Sequence, residues 1–414
     1  WLDSDLRDLA VSNTGRVYAG GNFTLAGSSA VNYVAEWTAA GWQPLGTGVG
    51  LGGVLCLATD TQGNLYAGGN FTQAGGQPAN RVAKWNGTAW SALGAGIGNG
   101  VVNALATDAA GNLYVGGDFT LAGGARALSM AKWDGTNWSP LNTSINGWVY
   151  ALAVGPTGTL YAGGNFTLID GVIVNRIAQR NGSTWSGMAG GGNAVVVRLL
   201  PDSRGHVYAG GEFTQMGGQA LGYLARWDGS TWNAVGGGIS GRVRALVLDS
   251  ANNLYVGGSF ARAGGTVVNN ITRWDGTTWH TLGTGLADGV MALAVHGSTV
   301  YAGGGFLTVG DGSKITAQFG VYDARIPTAT SAATPPPAAM LYPNPAHGTA
   351  TLRLSPAEAA HPATAELHDA LGRVLRRYTL PAGPGPHTLP LAGLAPGTYY
   401  VQIGTARPQP LVIE

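Results

Sequence analysis

The chain has 414 residues, a formal net charge of +1 and only 10% charged residues, against about a quarter in typical soluble domains. Its 22 Lys and Arg are scattered singly, which excludes a basic face for nucleic acid. Cys56 is the single cysteine, so there is no disulfide framework, and no apolar run is long enough to cross a bilayer as a helix.

Gly supplies 70 residues, well above the usual ~7%, and so turn-dense a composition predicts an all-β chain. Opening at Trp1 without an initiator Met, the sequence reads as a processed or trimmed chain. After an apolar run near Leu6 comes the stretch around Tyr18, followed by Ala19-Gly20-Gly21-Asn22-Phe23. Close copies recur at Tyr66, Tyr114, Tyr161, Tyr208, Tyr255 and Tyr301, at separations of 48, 48, 47, 47, 47 and 46 residues. Periods in this range mean propeller blades, solenoid turns or arrays.

The second copy shows the elements of the repeat. Residues 54–59 form a short apolar run of strand length, strand A. Asp60-Thr61-Gln62-Gly63 has the residue choice of a type I turn. Strand B follows at 64–71, with Leu65, Ala67, Gly69 and Phe71 on one face, and its paired glycines predict close approach of a neighbouring sheet. A longer loop, 72–80, leads to strand C at 81–85, and Asn86-Gly87 turns the chain into strand D at 90–93. The same hairpin signal recurs as Asp134-Gly135, Asn181-Gly182, Asp228-Gly229 and Asp275-Gly276. Four antiparallel strands per repeat, with neither helices nor parallel rungs, predict a seven-bladed β-propeller. Strand alternation places the B–C and D–A loops on one face of the disc, where ligands conventionally sit.

The seventh copy runs through its strand C at 318–322 without a counterpart of Trp90 to Leu93. Residues upstream of Trp1 or the following linker complete this blade, or its edge stays open and invites pairing with another chain. The propeller is assigned to 1–324 and a Pro-rich linker to 325–340. Strand candidates at 350–354, 363–370, 374–380, 386–391 and 398–403 then predict a small Ig-like β-sandwich over 341–414.

In that tail, Leu341-Tyr342-Pro343-Asn344-Pro345, Asp369-Ala370-Leu371-Gly372-Arg373 and Leu394-Ala395-Pro396-Gly397-Thr398-Tyr399-Tyr400-Val401 occur in order. Together they resemble the C-terminal sorting domain of type IX secretion, with Tyr342, Pro343, Asn344, Pro345, Gly372, Gly397 and Tyr399 at its motif positions. The resemblance implies handling by the type IX machinery and a secreted or outer-surface location in a Gram-negative bacterium. The final Pro410-Leu411-Val412-Ile413-Glu414 keeps the usual apolar strand and lacks the common terminal lysine. The blades, with Gly68-Gly69, Phe71-Thr72, Gly75-Gly76 and Asn80, resemble delta-60-type propeller repeats of secreted bacterial proteins. That likeness implies a fold and no particular activity.

Internal repetition separates structure from candidate function, because a residue present in most blades serves the blade. The pairs Trp85/Trp90, Trp133/Trp138, Trp227/Trp232 and Trp274/Trp279 flank hairpins and read as cross-strand packing, with sugar stacking as the alternative. Trp148 stands outside the pattern, in a D–A loop, and is the better candidate for stacking on a glycan. Asp170, Asp288, Asp311 and Lys314 are blade-specific on the same face and are further candidates for binding. The seven His show no metal-ligand spacing, and Cys56, aligned with Ala104, reads as a small buried thiol. Neither a catalytic constellation nor a cofactor motif is expected. The sequence predicts an exported, non-enzymatic structural or adhesive propeller; a glycan-binding propeller and a self-associating filament subunit completed by strand exchange are the alternatives.

Overall fold

The computed structural model describes residues 1–27, 29–50, 52–312, 316, 318–323, 340–342, 346–354, 362–369, 372–383, 386–404 and 408–413. Among them, seven antiparallel sheets follow one another along the first 323 residues, six of four strands and the last of three. In the second sheet the strands are Val54–Thr59, Leu65–Gly69, Val82–Trp85 and Trp90–Ala92, side by side in chain order. The seventh holds Val290–His296, Thr299–Gly304 and Phe319–Asp323.

The recurring glycine doublet has a steric cause. A methyl group on the first glycine of each doublet would strike strand A of the next sheet: Gly68 meets Val102, Gly116 meets Val149, Gly163 meets Val196, Gly210 meets Val243 and Gly257 meets Val290. The last sheet repeats the contact on the first, Gly303 facing Leu6, and this closes the ring. Leu6, Leu9 and Ala19 share one apolar cluster there with Ala292, Ala294 and Phe319. The second glycine of the doublet instead lies against its own chain, Gly69 beneath the Gly53 carbonyl.

In three repeats the tyrosine is tied to the A–B turn. Asp60 accepts hydrogen bonds from the Asn64 amide at 2.9 Å, its side-chain Nδ2 at 2.7 Å and the Tyr66 hydroxyl at 3.2 Å. Asp108 and Asp249 repeat the arrangement with Tyr114 and Tyr255. Desolvation and the neighbouring Asp108 carboxylate push the Tyr114 phenol up to about 12. These tyrosines are therefore hydrogen-bonded structural members at neutral pH.

The tryptophan pairs pack across the C–D hairpin, with ring centroids 5.5 Å apart for Trp85 and Trp90. They also fasten neighbouring sheets. The indole Nε1 of each strand D tryptophan from Trp90 onwards donates to a carbonyl at the end of the preceding strand D: Trp90 to Leu45, Trp138 to Leu93, Trp185 to Leu141, Trp232 to Met188 and Trp279 to Gly236, all at 2.8–2.9 Å. A hairpin signal alone gave no warning of this second role.

The B–C connection departs from the simple loop expected at 72–80. Gln73–Ala74 and Gln77–Pro78 form a two-stranded hairpin, and its first strand pairs with Val49–Gly50 of the D–A connection. Short bridges repeat this joint, as in Leu2 with Ala26, Ile97 with Ala122 and Ile239 with Ala263. The two connections thus make one knitted surface.

In the tail, Met340–Tyr342, Thr349–Arg353 and Pro386–Pro390 form one sheet, and Val374–Leu380, Ala363–His368, Gly397–Ile403 and Gln409–Ile413 the other. Ala350, Leu352, Leu367, Val401 and Leu411 fill the core between them. The first strand begins at Met340, within the range assigned to the linker; residues 324–339 lie outside the described part.

The glycine contact is testable. Gly210→Ala, whose methyl would lie 2.6 Å from Val243 Cγ1, is expected to cost about 1–3 kcal/mol of unfolding free energy. Gly222→Ala, which meets nothing within 4 Å, is expected to change it by less than about 0.5 kcal/mol. Urea melts of the two variants read the difference, and equal losses would contradict the steric account.

Candidate functional site

Strand A of every sheet lines the centre of the ring. In all seven the pairing with strand B slips by one residue near its start, as between Val54 and Cys56 or Val149 and Ala151. Such bulges turn a side chain out of the ladder, here into the channel. The central cavity, of about 170 Å³, is lined by residues of all seven A strands.

Four of the seven equivalent positions hold alanine: Ala104, Ala151, Ala245 and Ala292. The other three hold Asp8, Cys56 and Arg198. Asp8 of the first sheet and Arg198 of the fifth face each other across the cavity at 3.7 Å. The Leu57 amide donates to Asp8 at 2.8 Å, and Arg198 donates to the Val197 carbonyl at 3.2 Å. Desolvation raises the Asp8 carboxyl above its ordinary range, against the opposing pull of Arg198 and two amides. Desolvation, then the Asp8 charge, pushes the Cys56 thiol well up, so Cys56 is a protonated apolar neighbour there and not a thiolate. Sequence comparison between blades did contain this signal: reading the third position of strand A through all seven copies isolates Asp8 and Arg198.

At the start of the A strands, around the channel mouth, Arg242 and Arg244 approach Glu212 at 3.6 and 3.7 Å. Trp148 stands beside Tyr150, ring centroids 6.4 Å apart and edge to face, with 48% of its surface exposed. Its amide donates to Asn165 Oδ1 at 2.6 Å, which anchors the loop that carries it. The starts of the A strands therefore carry an exposed aromatic ring at the fourth sheet and paired charges at the fifth and sixth.

The remaining sequence candidates are dispersed. Asp170 occupies a B–C hairpin of the fourth sheet and accepts from the Thr143 and Ser144 amides and the Thr143 hydroxyl at 2.7–2.9 Å. Its desolvation is outweighed by those bonds, and its carboxyl is held low. Its geometry is that of a loop clamp. Asp288 is exposed between the sixth and seventh sheets, accepting from the Gly289 amide at 2.6 Å, and Asp311 is exposed in the seventh. Lys314 lies outside the described residues, as do Pro343, Asn344 and Pro345. Among the described residues no group of three or more His, Cys, Asp or Glu is placed to hold a metal ion.

In the sorting region, Asp369 folds the turn by accepting from the Arg373 amide at 3.0 Å and its Nε at 2.6 Å, with Gly372 at φ +76 between them. Tyr399 enters the sandwich core and donates to the Ala395 carbonyl at 2.7 Å, while Gly397 opens that strand and Tyr342 pairs with Thr351.

The raised Asp8 carboxyl sets a direction for pH dependence. A carboxyl whose folded value lies above its unfolded one favours the folded state in acid and loses that contribution as pH rises through the folded value. Asp8→Asn is therefore expected to melt above wild type at pH 7, with the gap closing as pH falls toward 4. Calorimetric melts across this range decide it; a gap that widens in acid would refute the assignment.

Comparison with protein families matches residues 83–236 to the Rax2 C-terminal beta propeller domain and residues 340–410 to the secretion system C-terminal sorting domain. No curated protein matches the chain. With the all-β ring and the two-sheet tail, these matches make the chain a β-propeller carrying a type IX sorting domain, exported to the outer surface of a Gram-negative bacterium of the Bacteroidetes type.

Proposed function

We propose that this protein is a non-enzymatic adhesive module held at the cell surface by its sorting domain, gripping a surface protein or glycan with the knitted loop face of its propeller. The observation that carries this reading is where its exposed apolar side chains lie. Of the eight large ones among the described propeller residues, Leu25, Leu121, Leu168, Val172, Ile173 and Val267 belong to B–C hairpins and Trp148 to a D–A connection, with Val321 elsewhere. Scattered apolar residues need no explanation, but concentration on one face marks a contact surface. Ile173 is the most exposed of them at 70%.

A glycan is the favoured ligand at the channel mouth, because Trp148 is free of the packing that occupies the hairpin tryptophans. Its ring lies edge to face beside Tyr150 and leaves about half of its surface open for stacking on a sugar.

Two experiments test the reading. An oligosaccharide array probed with the purified chain should retain it, and Trp148→Ala should weaken retention at least tenfold while moving the melting temperature little, since the side chain is half exposed. Undiminished retention would remove Trp148 from the site. Deleting residues 340–414 should leave the propeller inside the cell envelope, shielded from protease added to intact cells; a protease-accessible truncated chain would contradict export through the sorting domain.

A further inference from the structure

The ring turns one edge of every sheet inward. Strand A pairs with strand B on one side, and its other edge faces the axis. Leu57 shows which groups that edge presents. A methyl on Gly20 of the preceding sheet would meet its side chain, and its amide donates to Asp8 Oδ2 at 2.8 Å, outside its own ladder. The same register recurs in all seven sheets, with Leu9 opposite Ala19, Leu57 opposite Ala67, Leu105 opposite Val115 and so on to Leu293 opposite Ala302. In an antiparallel pair, a residue whose N–H points away from its neighbour turns its C=O away as well. The cavity is therefore ringed at one level by main-chain N–H and C=O groups of the leucines that line it.

Few side chains are added to this ring, and they are polar. Asp8 and Arg198 approach to 3.7 Å, an ion pair longer than a hydrogen bond. Arg198 gives one donor to the Val197 carbonyl at 3.2 Å, out of the five N–H groups a guanidinium carries. Of the two side chains, 20% of Asp8 and 29% of Arg198 stay open to solvent. Asn103 and Tyr150, one residue ahead of the channel alanines Ala104 and Ala151, complete the polar lining with an amide and a phenol.

This chemistry selects a class of ligand. The pair sums to zero charge, so an anion admitted beside Arg198 meets Asp8 and a cation admitted beside Asp8 meets Arg198. A neutral molecule dense in hydroxyls satisfies donors and acceptors together. Size narrows the choice further. A cavity of about 150 Å³ takes up a benzene-sized molecule. The channel cavity, of about 170 Å³, thus has room for one ring and none for a chain. Tyr150 joins it to the exposed Trp148, 6.4 Å away between ring centroids.

We propose that the channel binds the terminal residue of a glycan as one neutral sugar ring. Asp8 accepts from its hydroxyls, Arg198 and Asn103 donate to them, and the inward main chain of the leucines supplies the remaining bonds. The next sugar residue leans on Tyr150 and Trp148. This subsite rests on the glycan reading of Trp148 and adds to it a preference for chain ends.

The test is calorimetric titration of the 414-residue chain with glucose, galactose and mannose, each beside its uronic acid and its amino sugar. At least one neutral sugar is expected to bind one-to-one, and its charged counterparts at least tenfold more weakly. Asp8→Ala combined with Arg198→Ala places the ordinary channel residue at both positions and leaves no unpaired charge, so it should melt no lower than wild type. It should weaken the sugar at least tenfold. Asp8→Asn with Arg198→Gln gives the same comparison should the alanine variant not fold. Trp148→Ala should leave affinity for the free sugar within twofold while lowering retention on the oligosaccharide array. Undiminished sugar binding by the Asp8/Arg198 variants overturns the subsite, as does loss of the free sugar in Trp148→Ala alone, which moves the whole site to the loop. Array retention with no affinity for any free sugar overturns the subsite and leaves the loop-face reading standing, whereas failure of both removes both. Tighter binding of a charged sugar overturns the neutral class.

Discussion

Each sheet rests on the next through a glycine that leaves room for an aliphatic side chain, and the ring depends on that allowance being repeated. Gly68 under Val102 and Gly210 under Val243 are the same contact displaced around the axis, and Gly303 under Leu6 closes it. A side chain at any of these points would wedge two sheets apart, and close-packed interiors relax only in part around such an insertion. The glycine doublet is thus a condition on inter-sheet distance, which explains why it survives in every copy while the loops diverge.

Two further devices hold the register of the ring once that distance is set. The indole donors tie the outer strands of neighbouring sheets, each bonding a carbonyl where a strand D ends; the Leu45 and Met188 carbonyls accept a turn amide as well. The D–A connection pairs with the next B–C hairpin and joins the loop face from sheet to sheet. Both devices use main-chain carbonyls or amides on one side of the joint, with polar side chains such as Asn146 and Asn193 reinforcing it, so the apolar side chains of the hairpins are released from structural duty. Leu121, Ile173 and Val267 are free to face solvent because the backbone beneath them already carries the bonding.

Chemistry is found where the repeat breaks its own rule. Alanine is the ordinary channel residue, and Asp8 and Arg198 replace it on strands from different sheets that face one another. Trp148 interrupts a D–A connection, and Asp170 replaces a glycine in a hairpin. Asp170 is spent on structure, clamping residues 143 and 144 of the preceding D–A connection. Departure from a repeat marks a residue worth inspecting, and geometry decides whether it serves ligand or loop.

The all-β ring, the order of strands within each repeat and the sorting tail were legible from the residues alone. Hairpin turns, β alternation and glycine doublets are local signals, and a 47-residue period shows that they recur. The pairing of the D–A connection with the B–C hairpin was not legible, because two-residue strands carry too little pattern to announce a partner in another sheet. Nor was the meeting of Asp8 with Arg198, which comparison of the copies singles out one by one but cannot join, because their pairing is set by which sheets the closed ring makes opposites. Sequence determined the blade because its contacts are short-range; the channel and the loop face belong to ring closure, which only the tertiary structure decides.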